Sequence, residues 1–364
     1  EWAHARKMGT VIIPVTTELN FYDRAPRWLA EINGYILNSE HPDYSTSFAA
    51  FIERVRHPQP PAPLPFMAPL PPLEFTPRPA YQTQMIERLL NTEHTEPRQT
   101  ITTLVGQPGI GKSTLAQAIC YEQAVTEAYT GGVLFLEIGE SAQQIDGNAL
   151  IVALGGAPVD QPNKAPDRLR DLLEHRTTLI VFDDVWDETL IRPYLGIPGQ
   201  SYLITTRHHS IAALDSSGSP ITVGEMSSDE AVELLLAYVP DDKRQPDSPD
   251  RLRPLAERLG EWPLLLNGAG RDLRAEMAQR SSLNAAIAWV MEGLDEAGLG
   301  AGSDFDAALD ARMASSFRRF TKDEVERLRE LAIFRDDVEV PEAAAQRLWQ
   351  GTAALTPSTA GKLL

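Results

Sequence analysis

Five short runs of β-branched and aliphatic residues mark the middle of the chain: Ile101–Val105, Val133–Ile138, Thr178–Phe182, Tyr202–Thr206 and Ile221–Val223. They are largely continuous rather than alternating, as in strands buried on both faces, and helical patterns separate several of them. The pattern predicts an α/β architecture, a parallel sheet with helices on both sides. Upstream, Glu1 to Met8 reads as the end of a helix stopped by Gly9, followed by a β-branched strand, Thr10–Val15, whose end is marked by Pro14. Tyr35–Leu37 is a second short strand, and Tyr44, Phe48, Phe51, Ile52 and Val55 repeat at helical spacing with one packed face. So few strands cannot cover their own faces, so the other half of this α/β unit is expected upstream. Downstream, Ser227–Glu230 before Ala231–Leu236 predicts a capped helix start. Pro249 to about Leu294 continues as helices with a break at Gly260 and Pro263. Gly298 to Gly302 is a small junction, beyond which Phe317, Phe320, Val325, Leu328, Leu331 and Phe334 form apolar helical faces.

Between the first α/β unit and the central sheet, ten of the twenty-two residues from Pro58 to Pro79 are proline. Such a run is expected neither to pair in a sheet nor to continue a helix, and it favours an extended polyproline conformation. It reads as a semi-rigid spacer in preference to a ligand for an SH3-like partner.

The chemistry concentrates after the first central strand. Gly106-Gln107-Pro108-Gly109-Ile110-Gly111-Lys112-Ser113-Thr114 has the G-x-x-x-x-G-K-[ST] pattern, placed between a strand and a helix-forming stretch, Leu115–Ile119. Glycines let successive backbone N–H groups turn inward around a phosphate, and the helix N-terminus adds partial positive charge. Lys112 can reach the β- and γ-phosphates, and the Ser113 hydroxyl can complete a Mg²⁺ shell. The third central strand runs into Asp183-Asp184, which places two carboxylates at the sheet edge beside this loop. Asp183 is expected on the Mg²⁺ side and Asp184 to orient the attacking water. Thr205-Thr206-Arg207 ends the next strand on the same edge, where Arg207 would sense the γ-phosphate.

A length of 364 residues accommodates two to four domains. The net charge of -18 argues against broad electrostatic binding to nucleic acid or anionic membrane. The single cysteine, Cys120, excludes an internal disulfide framework, fits a reducing cytoplasm and reads as a buried packing residue. No stretch is apolar enough to span a membrane, and no signal peptide opens the chain. With Glu1 in first place instead of methionine, the chain is expected to be part of a longer protein. His208-His209 has no partner at metal-ligand spacing and reads as surface.

These motifs resemble the NB-ARC branch of the STAND signal-transduction ATPases. Leu179–Trp186 (LIVFDDVW) is similar to its Walker B signature, Thr205–Arg207 to its sensor motif, and Leu259-Gly260-Glu261-Trp262-Pro263-Leu264 to its GLPL motif. In the last, glutamate stands where the second glycine usually lies. The resemblance implies that Pro263 packs near the adenine. It also implies a role for Arg78 at the adenine, although Pro77 replaces the glycine of the family's hydrophobic-Gly-Arg stretch. Leu331–Phe334 with Val340-Pro341 and Leu348-Trp349 resembles the winged-helix domain that follows in this family, expected here to pack as a regulatory element. The chain stops before the family's Met-His-Asp motif.

Glu1–Ala5, Gly9 and Val11–Val15 are similar to the second half of TIR domains, which are flavodoxin-like. In NAD-cleaving members a catalytic glutamate lies eight residues before such a glycine, the position of Glu1. A carboxylate there would stabilise the ribosyl cation as nicotinamide leaves; a solvent-facing helix glutamate is the alternative.

The expected layout is the C-terminal half of a TIR domain (1–57), a proline-rich linker (58–79), a P-loop domain (80–225), a helical subdomain (226–296) and a partial winged helix (297–364). The resemblance implies an ADP/ATP switch with Mg²⁺ and slow hydrolysis. It further implies a homo-oligomer on activation, a trigger sensed by a C-terminal region outside this chain, and a TIR effector acting on NAD⁺. A non-catalytic TIR scaffold and a DNA-binding transcription regulator remain as alternatives.

Overall fold

The computed structural model describes residues 15–17, 35–39, 44–56, 64–90, 100–174, 176–279, 282–299, 306–310, 321–334 and 340–353. Glu1, Gly9, residues 10–14 of the strand expected over Thr10–Val15, Phe317 and Phe320 lie outside them.

Near the N-terminus, β1 (Val15–Thr16) pairs in parallel with β2 (Tyr35–Ile36), and helix α1 (Tyr44–Arg56) follows. Phe48 and Val55 of α1 are exposed, so the face marked as packed by its periodicity is only partly covered by the described residues.

Helix α2 (Pro79–Leu89) leads into the central sheet. Its strands are β3 (Thr100–Val105), β4 (Gly132–Glu137), β5 (Thr178–Val185), β6 (Ser201–Thr206) and β7 (Ile221–Thr222). All pair in parallel, in the order β4-β5-β6-β3-β7. The five apolar runs became these five strands for the reason the pattern suggested. In β5, Leu179 and Val181 enter one buried cluster while Ile180 and Phe182 enter the other, so both faces lie inside. On the first face lie α2, α3 (Lys112–Cys120) and the helical region; on the second lie α4 (Gly147–Ala153) and α5 (Ala165–Leu173).

The helical region comprises α6 (Ser228–Leu236), α7 (Ser248–Arg258), α8 (Pro263–Gln279) and α9 (Leu283–Glu296). Helix α6 starts with the expected cap, a reciprocal box in which Ser227 and Glu230 satisfy each other's backbone N–H groups. Helices α7 and α8 are joined by two successive left-handed residues, Gly260 (φ 61°) and Glu261 (φ 59°). Further on, α10 (Lys322–Glu330) and α11 (Glu342–Ala353) enclose Trp349, which is fully buried and donates its indole N–H to the Arg327 carbonyl at 2.8 Å. No helix among the described residues is long and apolar enough to cross a membrane.

The proline-rich segment departs from the expectation that it would not pair with a sheet. From Leu64 onward it lies along the domain and pairs beside β4: Val133 N–H donates to the Pro65 carbonyl at 2.8 Å, and Met67 N–H donates to the Val133 carbonyl at 2.9 Å. Proline lacks a donor but keeps its acceptor, so a run with non-proline residues at alternate positions can still make a short ladder. Tyr121 adds a hydroxyl donation to the Ala68 carbonyl at 2.8 Å, and Glu74 pairs with Arg274 of α8 at 2.9 Å.

Candidate functional site

The C-terminal edge of the sheet gathers the chemistry. Strands β3 and β6 run in register from Thr100↔Ser201 to Val105↔Thr206, so the loop after β3 and Arg207 after β6 emerge side by side. Strand β5 carries an irregularity between Phe182 and Val185, where Asp183 and Asp184 sit. There Asp183 meets the Ser113 hydroxyl, and both acids lie close enough to Lys112 to act on its charge.

The loop itself is cut to fit its surroundings. A Cβ on Gly106 would stand 2.6 Å from the Val223 carbonyl oxygen, so only glycine lets the 223–225 backbone pass this closely. Gly109 has φ 71°, and a Cβ there would lie 2.9 Å from Leu264 Cβ. Gly111, with φ 95°, is the N-cap of α3 and supplies no side-chain cap. The first N–H groups of α3, from Lys112, Ser113 and Thr114, are therefore left to whatever the loop holds.

Lys112 is 6% exposed and donates to the carbonyls of Gly106 (3.0 Å) and Gln107 (2.9 Å). Burial and the neighbouring Arg207 push its pKa down to about 8, against the opposing pull of Asp184 and Asp183. Asp183 is 3% exposed; it accepts from Thr205 Oγ1 at 2.5 Å and from the Ser113 hydroxyl. Its pKa is raised by burial, with those two hydrogen bonds acting in the other direction. A buried carboxylate joined to a serine hydroxyl beside an ammonium is an oxygen donor set that fits Mg²⁺ with a phosphate chain. Cys120 is buried as expected, its thiol pushed up to about 12 by burial and by Asp183.

Asp184 is held differently. It adopts φ 50°, its N–H donates to Thr205 Oγ1 at 2.8 Å, and its Oδ2 accepts from the Trp186 indole at 2.9 Å. Arg207 Nε lies 3.5 Å from Asp184 Oδ1. One hydroxyl, that of Thr205, thus touches both acids.

Pro263 and Leu264, at the start of α8, reach the loop. Leu264 N–H donates to the Gly109 carbonyl at 3.2 Å, and Pro263 Cγ stands 3.8 Å from where a Gly111 Cβ would be. A cavity of about 410 Å³ opens here, lined by Val105–Pro108, Ile110, Arg207, His209, Thr222–Glu225 and Trp262. His209, exposed as expected, also borders it.

The Arg78 side chain donates to the carbonyls of Ile110 (3.3 Å), Gly224 (2.9 Å) and Glu225 (2.5 Å), three residues that line the cavity, and stacks on Tyr81 at 4.6 Å. A buried guanidinium requires acceptors, and three backbone carbonyls meet here to supply them. Glu1 falls outside the described residues. Thr205, Trp186 and Trp262 lie within the motifs quoted above, but nothing local marks the contacts each one makes. The Thr222–Glu225 wall carries no local signal.

Comparison with known proteins adds likenesses to this geometry. Residues 82–245 match the NB-ARC domain. The matched segment contains the phosphate loop, both acids and Arg207; Arg78 and Pro263 flank it. The chain is 25% identical over 273 residues to apoptotic protease-activating factor 1 of Homo sapiens, covering 68% of this chain and 20% of that protein. It is 25% identical over 163 residues to disease resistance protein RGA2 of Solanum bulbocastanum, covering 42% of this chain and 17% of that protein. The chain thus spans about a fifth of the length of these relatives. Among solved structures, CDC6P from Pyrobaculum aerophilum aligns with a TM-score of 0.44 at 14% identity, covering 82% of this chain and 86% of that one.

Proposed function

We propose that this chain is the nucleotide-controlled switch of a larger signalling ATPase. The observation that carries this reading is the contact between the phosphate loop and the helical region. The Gly109 carbonyl accepts from Leu264 N–H, and Pro263 stands against Gly111, so a change in the loop is felt directly at the start of α8. The backbone N–H groups around Gly106, Gly109, Ile110 and Gly111, with Lys112 and Thr114, would hold the phosphates of ADP or ATP; Ser113 and Asp183 would hold Mg²⁺. When bound there, the metal would supply neutralising positive charge for the phosphates. Arg207 adjoins Lys112 closely enough to lower its pKa, a position suited to reporting a third phosphate. An ATP-bound state that favours a different placement of α8 is a population shift driven by differential contacts.

Similarity to an apoptotic protease-activating factor and to plant disease-resistance proteins supports a role in cell death or defence, with ATP-driven homo-oligomerisation. The resemblance of the α10–α11 region to a winged helix supports a regulatory packing role for it. The resemblance of the first residues to a TIR domain supports an effector that cleaves NAD⁺ with Glu1 as its carboxylate. Loss of NAD⁺ in the presence of the full-length protein, abolished by Glu1→Ala, distinguishes this from a TIR scaffold.

The decisive measurement is the nucleotide released on denaturing the purified protein, together with its mass in solution with and without ATP·Mg²⁺. Bound ADP on a monomer that assembles on ATP, both lost in Lys112→Ala, is expected. A nucleotide-free protein indifferent to ATP and to Lys112→Ala would overturn the switch.

A further inference from the structure

Arg207 and Asp184 meet through a third residue. The Trp186 indole N–H donates to Asp184 Oδ2 at 2.9 Å while the Arg207 guanidinium lies over the Trp186 ring, 4.8 Å from its centroid. Arg207 Nε also approaches Asp184 Oδ1 at 3.5 Å, so the three side chains close a triangle with the indole as its base. His208 rests edge-on against the same indole, 5.1 Å between ring centroids, and limits its rotation. The backbone beneath is unusual as well: Asp184 is in the left-handed region at φ 50°, a conformation that persists only where neighbours over-determine it.

We infer that Trp186 is a positioning residue that ties the second acid of the strand end to the arginine of the next strand. The indole has two separable functions. Its N–H fixes the Asp184 carboxylate, and its π-face holds the partly exposed Arg207 guanidinium by a cation–π attraction. With both present, Arg207 is kept at the mouth of the cavity, which it lines, without collapsing into a tight ion pair with Asp184. Movement of either charged group is then felt by the other. The consequence for ATP over ADP rests on the switch proposed above; the coupling itself does not.

The test accordingly has an arm without nucleotide. Thermal unfolding of the wild-type chain, Trp186→Leu, Arg207→Gln and the double variant forms a cycle. Losses in Tm that are clearly less than additive in the double variant are expected; strictly additive losses would overturn the proposal. A second arm measures ADP and ATP·Mg²⁺ binding and single-turnover hydrolysis. Trp186→Leu is expected to lower the ATP-to-ADP affinity ratio roughly two- to fivefold while leaving ADP affinity near wild type. Trp186→Phe, which keeps the face and loses the donor, is expected to retain the ratio but slow hydrolysis. Equal loss of ADP and ATP affinity in both variants, with no change in their ratio, would reduce Trp186 to a structural residue. If the wild-type chain binds neither nucleotide, the switch reading falls and the unfolding cycle alone decides the coupling.

Discussion

Glu261 offers the sharpest test of how the loop-facing turn is built. It holds φ 59° immediately after Gly260 at φ 61°. Its backbone works in both directions: its carbonyl accepts from Met226 N–H at 3.1 Å, and its N–H donates to Ala256 O at 3.1 Å. Glycine would keep both bonds. The left-handed conformation costs a residue with a Cβ about 1–2 kcal/mol. Glycine returns part of that gain, about 0.4–1 kcal/mol, through the greater freedom of the unfolded chain. Glu261→Gly should therefore stabilise by about 0.5–1 kcal/mol, a rise in Tm of roughly 1–4 °C for a domain of this size. Glu261→Ala is the control, since alanine retains the Cβ and should show little of this gain. Gly260→Ala should move the other way, because its Cβ would be left-handed and 3.1 Å from Trp262 Cδ1. The assay is thermal and urea unfolding of all three variants without nucleotide. A gain in Glu261→Ala equal to that in Glu261→Gly would assign the effect to the lost charge and refute the backbone argument.

Other outcomes follow from the site. Gly106→Ala places a Cβ 2.6 Å from the Val223 carbonyl, so the 223–225 wall must shift; nucleotide affinity should drop at least tenfold while far-UV circular dichroism is preserved. Lys112 is a base whose folded pKa, about 8, lies below its ordinary 10.5. The unfolded chain then binds more protons between these values, so nucleotide-free stability should rise from about pH 8 to about 10.5. Lys112→Met should lack that rise, which urea titrations across the range would show. Because phosphate favours the charged amine, nucleotide binding at pH 8.5 should take up protons, read from the buffer dependence of the calorimetric heat.

What the sequence disclosed, it disclosed through local pattern. The five apolar runs needed only their own composition to become strands, and the loop from Gly106 to Thr114 needed only its spacing. Asp183 was legible because an apolar strand ending in acid has one place to put it. Asp184 was legible as a position but not in its conformation, since nothing local announces a left-handed aspartate within a bulge. The partners of Arg78 were not legible at all: its three carbonyl acceptors, from residues 110, 224 and 225, are brought together only by the folded sheet. The proline run was misleading for a related reason. Its composition argues against a ladder, yet two bonds to a single residue, Val133, suffice to seat it.

That seating bears on how copies of this protein can meet. A parallel sheet with an open edge invites strand addition from another chain. Here the β4 side is occupied by residues 65–67 of the same chain, a single bridge that is too short to present a regular ladder outward. The opposite side ends in β7, two residues long, with the following backbone clasped by Arg78. Sheet-to-sheet growth is thereby discouraged at both sides of the nucleotide-binding core. Subunits that assemble around this core must recognise one another through side-chain surfaces, which a ligand can remodel, and not through backbone pairing, which it could not easily undo.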